Sequence, residues 1–389
     1  MTNSYDWLVV GGGITGAALG YELAKQGFRI LLLERNSTPD NATEYSYGGL
    51  AYWSGTSPLT NQICREGMEL HRQLSQELEA DTEFRELDLL LTIPRDQELQ
   101  FWKEKYANFA ISPQFLDRQQ ACELEPLLNG EAIAGALHLP HGHIHPGKTT
   151  QAYLQAYQRL GGEIKFVQVK SLLQSGNVVT GVATNHGNYY APHTVVCAGG
   201  LSRALLKKAG INVRIYFTHA ELIKTPPVDI KLKSLVMPAN LQRFALEAEA
   251  SKVEIESRWD QPGNELVSPI LDPGVVQFAD GSLCLGQWSR ILSDPYGNID
   301  ASVSEREIRQ EVGNILPSLG NLPGTWHHCL VAFSSSSLPT VGKIPDTVGV
   351  YLFSGFTSTL LFAPPLARHF AQWVVQGSDD LIEQLPCVV

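Results

Sequence analysis

An apolar run breaks into a cluster of glycines in the stretch Trp7-Leu8-Val9-Val10-Gly11-Gly12-Gly13-Ile14-Thr15-Gly16. A segment with helical spacing follows as far as Gly27, and a second apolar run, Phe28 to Leu33, ends at Glu34. The pattern predicts a strand, a glycine turn, a helix, a second strand and then an acidic residue. This is the order of elements in a dinucleotide-binding βαβ unit.

Each glycine in this turn has a physical task. Gly11 permits the tight turn, Gly13 lets the backbone approach a pyrophosphate, and Gly16 lets the helix pack closely on the strands. Because the helix begins at the glycines, its unpaired N–H groups and positive dipole end face the phosphates. Glu34 lies 18 residues after Gly16, where a carboxylate can accept both ribose hydroxyls and would repel a 2′-phosphate. The turn therefore predicts a dinucleotide site in preference to a glycine turn without a ligand.

The composition indicates a globular protein with no nucleic-acid partner. The 389 residues suffice for two domains, 43% of them are hydrophobic, and the net charge of -11 gives no basic surface for nucleic acid or anionic lipid. The six cysteines form no CxxC pair, no apolar stretch is long enough for an integral membrane segment, and no signal-peptide pattern precedes the first strand. We therefore expect a reduced, cytoplasmic protein.

A second strand-to-helix glycine turn occurs far along the chain. The buried strand expected at 194–198 stops at Gly199-Gly200, so the nucleotide domain is predicted to consist of separated segments. Strand-like runs broken by Pro, Gly and Asn then predict a mainly antiparallel sheet. The expected fold is α/β, with a Rossmann-like domain from residues 1–80, 135–210 and 325–389 and a substrate domain from residues 81–134 and 211–324.

These elements, in this order, resemble the FAD-dependent D-amino acid oxidase superfamily over nearly the whole chain. Beyond the first glycine turn, the resemblance rests on Ala42 to Leu50, His145-Pro146-Gly147, Thr194 to Ser202, Pro339-Thr340-Val341-Gly342 and Ser354-Gly355-Phe356. The late glycine turn and the C-terminal return favour FAD over NAD. The resemblance implies that the FAD contacts are Gly11, Gly13, Ile14, Thr15, Gly16, Glu34, Arg35, Thr43, Ser46, Gly48, Gly49, Val169, Ala198, Gly199, Gly355, Phe356, Thr357, Ser358 and Thr359.

Two departures from the family's pattern concern the substrate and the flavin. Amino-acid oxidizing members tend to carry an arginine eight residues before the proline of Pro-x-x-Gly, and Val331 stands there. The family also tends to place a glycine where Leu360 lies, in a loop that is one residue short here. A weaker preference for α-carboxylates follows, unless another arginine supplies the cation. The candidates for that cation are Arg290 first, then Arg258, Arg243 and Arg214, and the pocket candidates are Val331, Phe356, Arg290 and Tyr52.

Several other polar groups and thiols can be interpreted either as structural or as functional. Cys329 lies where sarcosine-oxidase-like members attach the flavin covalently, but a buried thiol is the favoured interpretation. The histidines in 138–145 could hold a metal, yet no Cys or carboxylate joins them, so no metal site is predicted. The aromatic cluster of Tyr45, Tyr47, Tyr52 and Trp53 either lines a pocket or packs under the cofactor.

The function implied by the resemblance is oxidation of a CH–NH bond in a small amine or amino acid, by hydride transfer to FAD. Two alternatives stay open: oxidation of the CH–OH bond of a 2-hydroxy acid, and a structural or sensory FAD without turnover. The electron acceptor, O2 or a quinone or other carrier, is also open. So are the exact substrate and the oligomeric state.

Overall fold

The computed structural model describes residues 4–240, 242–336 and 338–386. One of the six cysteines, Cys387, lies outside the described residues. The described residues form 18 strands and nine α-helices, numbered in chain order. The strands are β1 (Trp7–Val10), β2 (Ile30–Glu34), β3 (Gly49–Leu50), β4 (Arg85–Pro94), β5 (Gln114–Asp117), β6 (Ile133–His143), β7 (Glu163–Phe166), β8 (Val169–Ser175), β9 (Val178–Thr184), β10 (Gly187–Tyr190), β11 (His193–Val196), β12 (Ile215–Lys224), β13 (Leu235–Pro238), β14 (Glu265–Gln277), β15 (Leu283–Leu292), β16 (Thr325–Ser334), β17 (Thr340–Lys343) and β18 (Val350–Ser354). The helices are α1 (Ile14–Lys25), α2 (Pro58–Glu77), α3 (Leu99–Tyr106), α4 (Arg118–Leu124), α5 (Pro146–Arg159), α6 (Ser202–Lys207), α7 (Gln242–Ala250), α8 (Ala301–Ile315) and α9 (Thr359–Gln376).

A six-stranded sheet in the order β17-β18-β11-β1-β2-β7 contains the glycine turn. Its strands are parallel except β17, and the apolar sequences of the central strands β18, β11, β1 and β2 are buried on both faces, as is typical of parallel strands. Helices α1, α5 and α9 cover one face, while α6 and the β8–β10 meander cover the other. Gly16 makes the close approach of α1 possible, because a Cβ there would lie 1.9 Å from the Gly11 carbonyl oxygen.

A nine-stranded sheet forms the second layer, with β16-β12-β15-β14-β13-β4-β6-β3 in order and β5 paired to β6. All its pairs are antiparallel except β13 with β4, so the predicted fold class, with a mainly antiparallel second sheet, is confirmed. Helix α8 packs on one face of this sheet. Strand β6 pairs with β4 and strand β16 pairs with β12, so both belong to this sheet. Residues 135–143 and 325–334 were predicted to belong to the cofactor domain instead. The domain boundaries otherwise stay a prediction.

A small meander and a long closing helix complete the cofactor-side layer. The meander of β8, β9 and β10 turns at Gly176-Asn177 and at Asn185-His186, and β7 ends two residues before β8 begins. The closing helix begins at Thr359 and has Pro364 and Pro365 inside it.

Pro364 lacks the N–H that would pair with the carbonyl of Leu360 four residues earlier. Nε2 of the buried His71, in α2, replaces that donor and lies 2.8 Å from the Leu360 carbonyl oxygen. Helix α2 thereby fixes the start of α9. No helix among the described ranges is long and apolar enough to cross a lipid bilayer.

Candidate cofactor and substrate site

The glycine turn after β1 leaves room for a ligand against the backbone. Gly11 has φ +112°, and a Cβ there would lie 2.5 Å from the Cys197 carbonyl oxygen, so this position needs glycine. Gly13 is the N-cap of α1 and provides no side-chain cap, and the first turn of the helix carries no acidic side chain. A Cβ on Gly13 would lie 3.2 Å from Thr43 Oγ1. These features suit an anion at the positive end of the helix.

Glu34 ends β2 directly beside this turn. Its Oε2 accepts a hydrogen bond of 2.6 Å from the backbone N–H of Gly12, and its Oε1 accepts one of 3.0 Å from Asn36. The carboxylate is therefore held in place, half-buried, next to the glycines. Thr43 approaches from the other side, where its hydroxyl accepts from the backbone N–H of Ile14 at 3.2 Å.

The carboxyl ends of β1, β11 and β18 meet at one edge of the parallel sheet. This edge brings together Gly11 to Gly16, Ala198 and Gly199 after β11, and Gly355 after β18. Thr15 Oγ1 lies 3.5 Å from the Cys197 carbonyl oxygen across the edge. The Arg35 side chain, directly after Glu34, is exposed, and Val169 packs against the hydrophobic cluster on the meander side, so both stay predicted contacts.

The loop through Tyr47, Gly48 and Gly49 lies between the two sheets. Gly48 has φ +76°, and a Cβ there would lie 2.1 Å from the Ile144 carbonyl oxygen. Under this loop lie His141 and His143 of β6, and burial lowers the pKa of each to about 3. Both imidazoles are therefore neutral, and Trp53 Nε1 donates to His141 Nδ1 at 3.1 Å. No group of three His, Cys, Asp or Glu in the described ranges could hold a metal ion.

Two of the predicted pocket residues are packing residues. Phe356 is buried and packs on Phe353, with ring centroids 4.9 Å apart, in the core beneath the parallel sheet. Tyr52 packs against the same core, and its hydroxyl interacts with Glu86 and Arg72, which form an exposed ion pair. Both side chains pack beside the backbone of the site, and both stay predicted pocket residues.

Arg290, the first choice for a substrate cation, is engaged elsewhere. Its Nε lies 2.7 Å from Oε1 of the fully buried Glu221, and its guanidinium stacks over Trp288. Its terminal nitrogen lies 3.3 Å from Ser304 Oγ in α8, so the side chain is on the α8 face of the sheet. Trp326 Nε1 donates to the other oxygen of Glu221 at 3.2 Å. The anion that pairs with Arg290 is therefore Glu221, and the guanidinium stays a candidate for the substrate carboxylate only if it leaves this pair.

Of the four arginines proposed from the sequence, Arg243 reaches the cofactor side. Its guanidinium donates to the Thr357 carbonyl oxygen at 3.4 Å, in the loop that follows the last parallel strand. Its Nε lies 3.7 Å from Glu247, one helical turn later in α7. Glu247 also accepts a hydrogen bond of 2.9 Å from the Thr218 hydroxyl. Thr218 stands opposite Val331 in the register of β12 and β16. By contrast, Arg258 and Arg214 bond to the backbone carbonyls of Glu265 and Ser251.

Asp272 was missed by the sequence analysis. It lies at a register shift of β14, is 6% exposed, and accepts long hydrogen bonds from Gln242 (3.5 Å) and the backbone N–H of Arg243 (3.4 Å). Burial raises the pKa of its carboxyl group. In the sequence the carboxylate precedes Pro273-Gly274, which is typical of a solvated turn. The (i, i+4) spacing of Arg243 and Glu247 is the one signal that pointed to this region.

The buried hydroxyl of Tyr47 faces the same cluster. No described residue bonds to this hydroxyl, which lies 3.1 Å from where a Cβ on Gly286 would be. Burial raises its pKa, and the charges of Asp272 and Arg243 both act on it. The Arg243 cluster, defined as Arg243, Glu247, Asp272, Thr218 and Tyr47, therefore joins the second sheet to the cofactor-side loops.

Cys329 lies on β16 beside this cluster. The thiol is buried, and burial raises its pKa to about 12, while the Arg243 charge acts on it in the opposite direction. The five cysteines in the described part of the chain are free thiols. The favoured interpretation of Cys329 as a buried thiol stays a prediction.

Comparison with known proteins agrees with this architecture. The family described as FAD dependent oxidoreductase (DAO) matches residues 6–373. The 4-methylaminobutanoate oxidase (formaldehyde-forming) of Paenarthrobacter nicotinovorans is 25% identical over 380 residues, which are 95% of this chain and 44% of that protein. The glycine oxidase of Geobacillus kaustophilus (strain HTA426) is 27% identical over 241 residues, 57% of this chain and 62% of that protein. The chain thus spans about half the length of the curated relatives it matches.

Among solved structures, glycine oxidase from Geobacillus kaustophilus shares the fold with a TM-score of 0.80 at 19% identity, over 97% of this chain and 96% of that chain.

Proposed function

Because the chain belongs to the FAD dependent oxidoreductase family, we propose that it oxidises a CH–NH bond of a small amine or amino acid. The observation that carries this proposal is the position of the Arg243 cluster. Its guanidinium contacts the Thr357 carbonyl at the edge of the parallel sheet, where the family's cofactor is expected, and buried polar groups surround the contact. A concave site with few, well-placed polar groups is what a small substrate needs.

The glycine turn and Glu34 fit the adenosine and pyrophosphate of FAD. Gly11 and Gly13 would allow the backbone to approach the phosphates, and the start of α1, whose N-cap Gly13 has no side chain, would turn its positive end toward them. The Glu34 carboxylate would bind the ribose hydroxyls, because it already stands fixed at the end of β2. Gly48 and Gly49 would lie near the flavin, with the neutral His141 and His143 beneath them.

The bound flavin supplies the acceptor for a hydride from the carbon next to nitrogen. The protein's own residues then have to position that carbon, exclude water and leave the nitrogen with a free lone pair. The Tyr47 hydroxyl and the Asp272 carboxylate, both from the nine-stranded sheet, are buried polar groups that would face a substrate. Thr218 and Val331 stand opposite each other on the paired strands β12 and β16 of the same sheet.

Anaerobic reduction of the flavin tests the proposal directly. The purified FAD-loaded protein is mixed with N-methylamines, amino acids and 2-hydroxy acids, and the loss of oxidised-flavin absorbance is recorded. Bleaching by amines or amino acids supports CH–NH oxidation, bleaching by hydroxy acids alone replaces it with CH–OH oxidation, and no bleaching indicates a structural or sensory FAD. Reoxidation by air or by a soluble quinone then distinguishes the two proposed classes of electron acceptor.

A further inference from the structure

We infer that Asp272 receives the protonated nitrogen of the substrate, and that the preferred substrates are cationic amines without an α-carboxylate. This inference rests on the proposed function and names the substrate class for it. It follows from the charges of the Arg243 cluster and from the surroundings of two polar groups, Asp272 and Tyr47.

Asp272 is a buried anion without a full counter-charge. Its carboxylate accepts hydrogen bonds from Gln242 and from the backbone N–H of Arg243, and the Arg243 charge acts on it, but no Lys, Arg or His in the described ranges lies within ion-pair distance of it. A buried carboxylate in this state is costly unless it is paired or protonated. A substrate ammonium group would supply both the missing charge and strong hydrogen-bond donors.

Arg243 is already committed, which argues against its holding a substrate carboxylate. The guanidinium lies between Glu247 and the Thr357 carbonyl, and Glu247 is itself buried and held by Thr218. The cluster therefore contains two carboxyl groups and one guanidinium, and burial raises the pKa of both carboxyl groups. A monoamine cation would balance the negative charge that is left when both are ionised, whereas the zwitterion of an α-amino acid would leave it unbalanced and add a carboxylate next to Glu247 or Asp272.

Tyr47 provides a second, independent sign of a ligand. The Tyr47 hydroxyl is buried and has no hydrogen-bond partner among the described residues. Such a hydroxyl lowers the stability of the folded protein, and native proteins seldom contain one. Since burial keeps the phenol protonated, its hydroxyl can donate to or accept from a polar group of the substrate. Tyr47 directly precedes β3 and Asp272 lies in β14, so both groups belong to the nine-stranded sheet, and the charge of Asp272 acts on the Tyr47 hydroxyl. The inference places the polar group of the substrate between these two groups.

Asp272 can also prepare the amine for oxidation. An ammonium nitrogen has no lone pair to assist the departure of hydride from the neighbouring carbon, so a proton has to leave first. One N–H bond of the ammonium breaks, an O–H bond forms on an Asp272 carboxylate oxygen, and the amine becomes neutral. Burial raises the pKa of Asp272, which makes the carboxylate a better proton acceptor than an exposed one.

The test compares matched pairs of ligands in wild type and in two Asp→Asn variants. The pairs are methylamine with glycine and dimethylamine with N-methylglycine, and tetramethylammonium serves as a cation that cannot lose hydride. The test variant is Asp272→Asn. The control is Asp300→Asn, because Asp300 likewise accepts backbone N–H groups at the start of a helix, α8, but is exposed. Binding is measured by calorimetry and by perturbation of the flavin spectrum, and reduction rates are measured against pH.

We expect wild type to bind each amine more tightly than its amino acid. Asp272→Asn should weaken the binding of the amines and of tetramethylammonium by about tenfold or more, as the loss of a charged contact does. It should also remove one ionisation from the pH profile of flavin reduction. Asp300→Asn should leave both unchanged. The affinity ratio of amine to amino acid in wild type requires no variant, so it tests the inference even if Asp272→Asn does not fold.

Several results would overturn the inference. One is equal binding of the cations by wild type and Asp272→Asn. Another is a preference for amino acids that Arg243→Gln abolishes, which would make Arg243 the carboxylate anchor. Failure of the proposed function has a different signature: no amine bleaches the flavin, while tetramethylammonium still binds to wild type and not to Asp272→Asn.

Discussion

Replacement of Arg290 by alanine should destabilise the protein and spare the substrate site. Glu221 is fully buried, with Arg290 Nε 2.7 Å from one oxygen and Trp326 Nε1 3.2 Å from the other. Removal of the guanidinium leaves a buried carboxylate with one neutral donor. The loss of one partner of such a pair costs about 3 kcal/mol when the arginine is partly exposed, as here. For a chain of this length we expect a fall in Tm of about 4 °C.

The assay is thermal unfolding of the FAD-loaded protein, followed by circular dichroism, together with KM for an amine and its amino acid. Arg290→Ala should lower Tm and leave KM within about twofold. The double variant Arg290→Met with Glu221→Gln should recover much of the lost stability, because the buried charge is gone and the Gln oxygen can still accept from Trp326. The reasoning is refuted if Arg290→Ala keeps its Tm but loses amino-acid turnover.

Three further predictions concern the cofactor and the stability of the fold. Gly13→Ala should fold but purify without bound FAD, as measured by the ratio of flavin to protein absorbance, because its Cβ occupies the pyrophosphate position. Burial lowers the pKa of His369, but the carboxylates of Asp379 and Glu66, each 2.8 Å away, outweigh burial and raise it above 6.5. The contribution of His369 to stability should therefore be complete below pH 6.5 and be lost as pH rises through the raised pKa. In Tm measurements over a series of pH values, His369→Gln should reduce this decline, and an unchanged decline would contradict the prediction. Because the Cys329 thiol has its pKa raised to about 12, denaturation should release FAD into an ultrafiltrate, whereas flavin retained on the chain would show a covalent bond.

The parts of the fold that depend only on residues close together in the sequence could be predicted. The glycine turn and the strand ending at Glu34 are local patterns, so their type and position follow from the residues themselves. The membership of β6 and β16 in the second sheet depends on pairing between distant strands, and nothing in either segment specifies its partner.

The direction of individual side chains was harder to predict, and Arg290 and Asp272 show why. The register between β12 and β15 shifts between Glu221 and Leu222, and the register between β14 and β15 shifts around Asp272. A shift of one residue turns every later side chain to the other face of a sheet. Counting along the strand therefore could not tell whether Arg290 faces α8 or the cofactor. Asp272 has a separate obstacle, because the following Pro273-Gly274 is typical of a solvated turn and does not indicate burial.

The bond between His71 and Leu360 bears on how pH profiles of this protein should be interpreted. Its acceptor is a carbonyl, so Nε2 of His71 must carry a proton, and burial lowers the imidazole pKa to about 4. Above about pH 4, His71 is therefore neutral and keeps its proton on Nε2. The hydrogen bond that holds the start of α9 does not change as pH rises further. An ionisation seen in flavin reduction near neutral pH is therefore not that of His71, and His71→Gln should leave it in place.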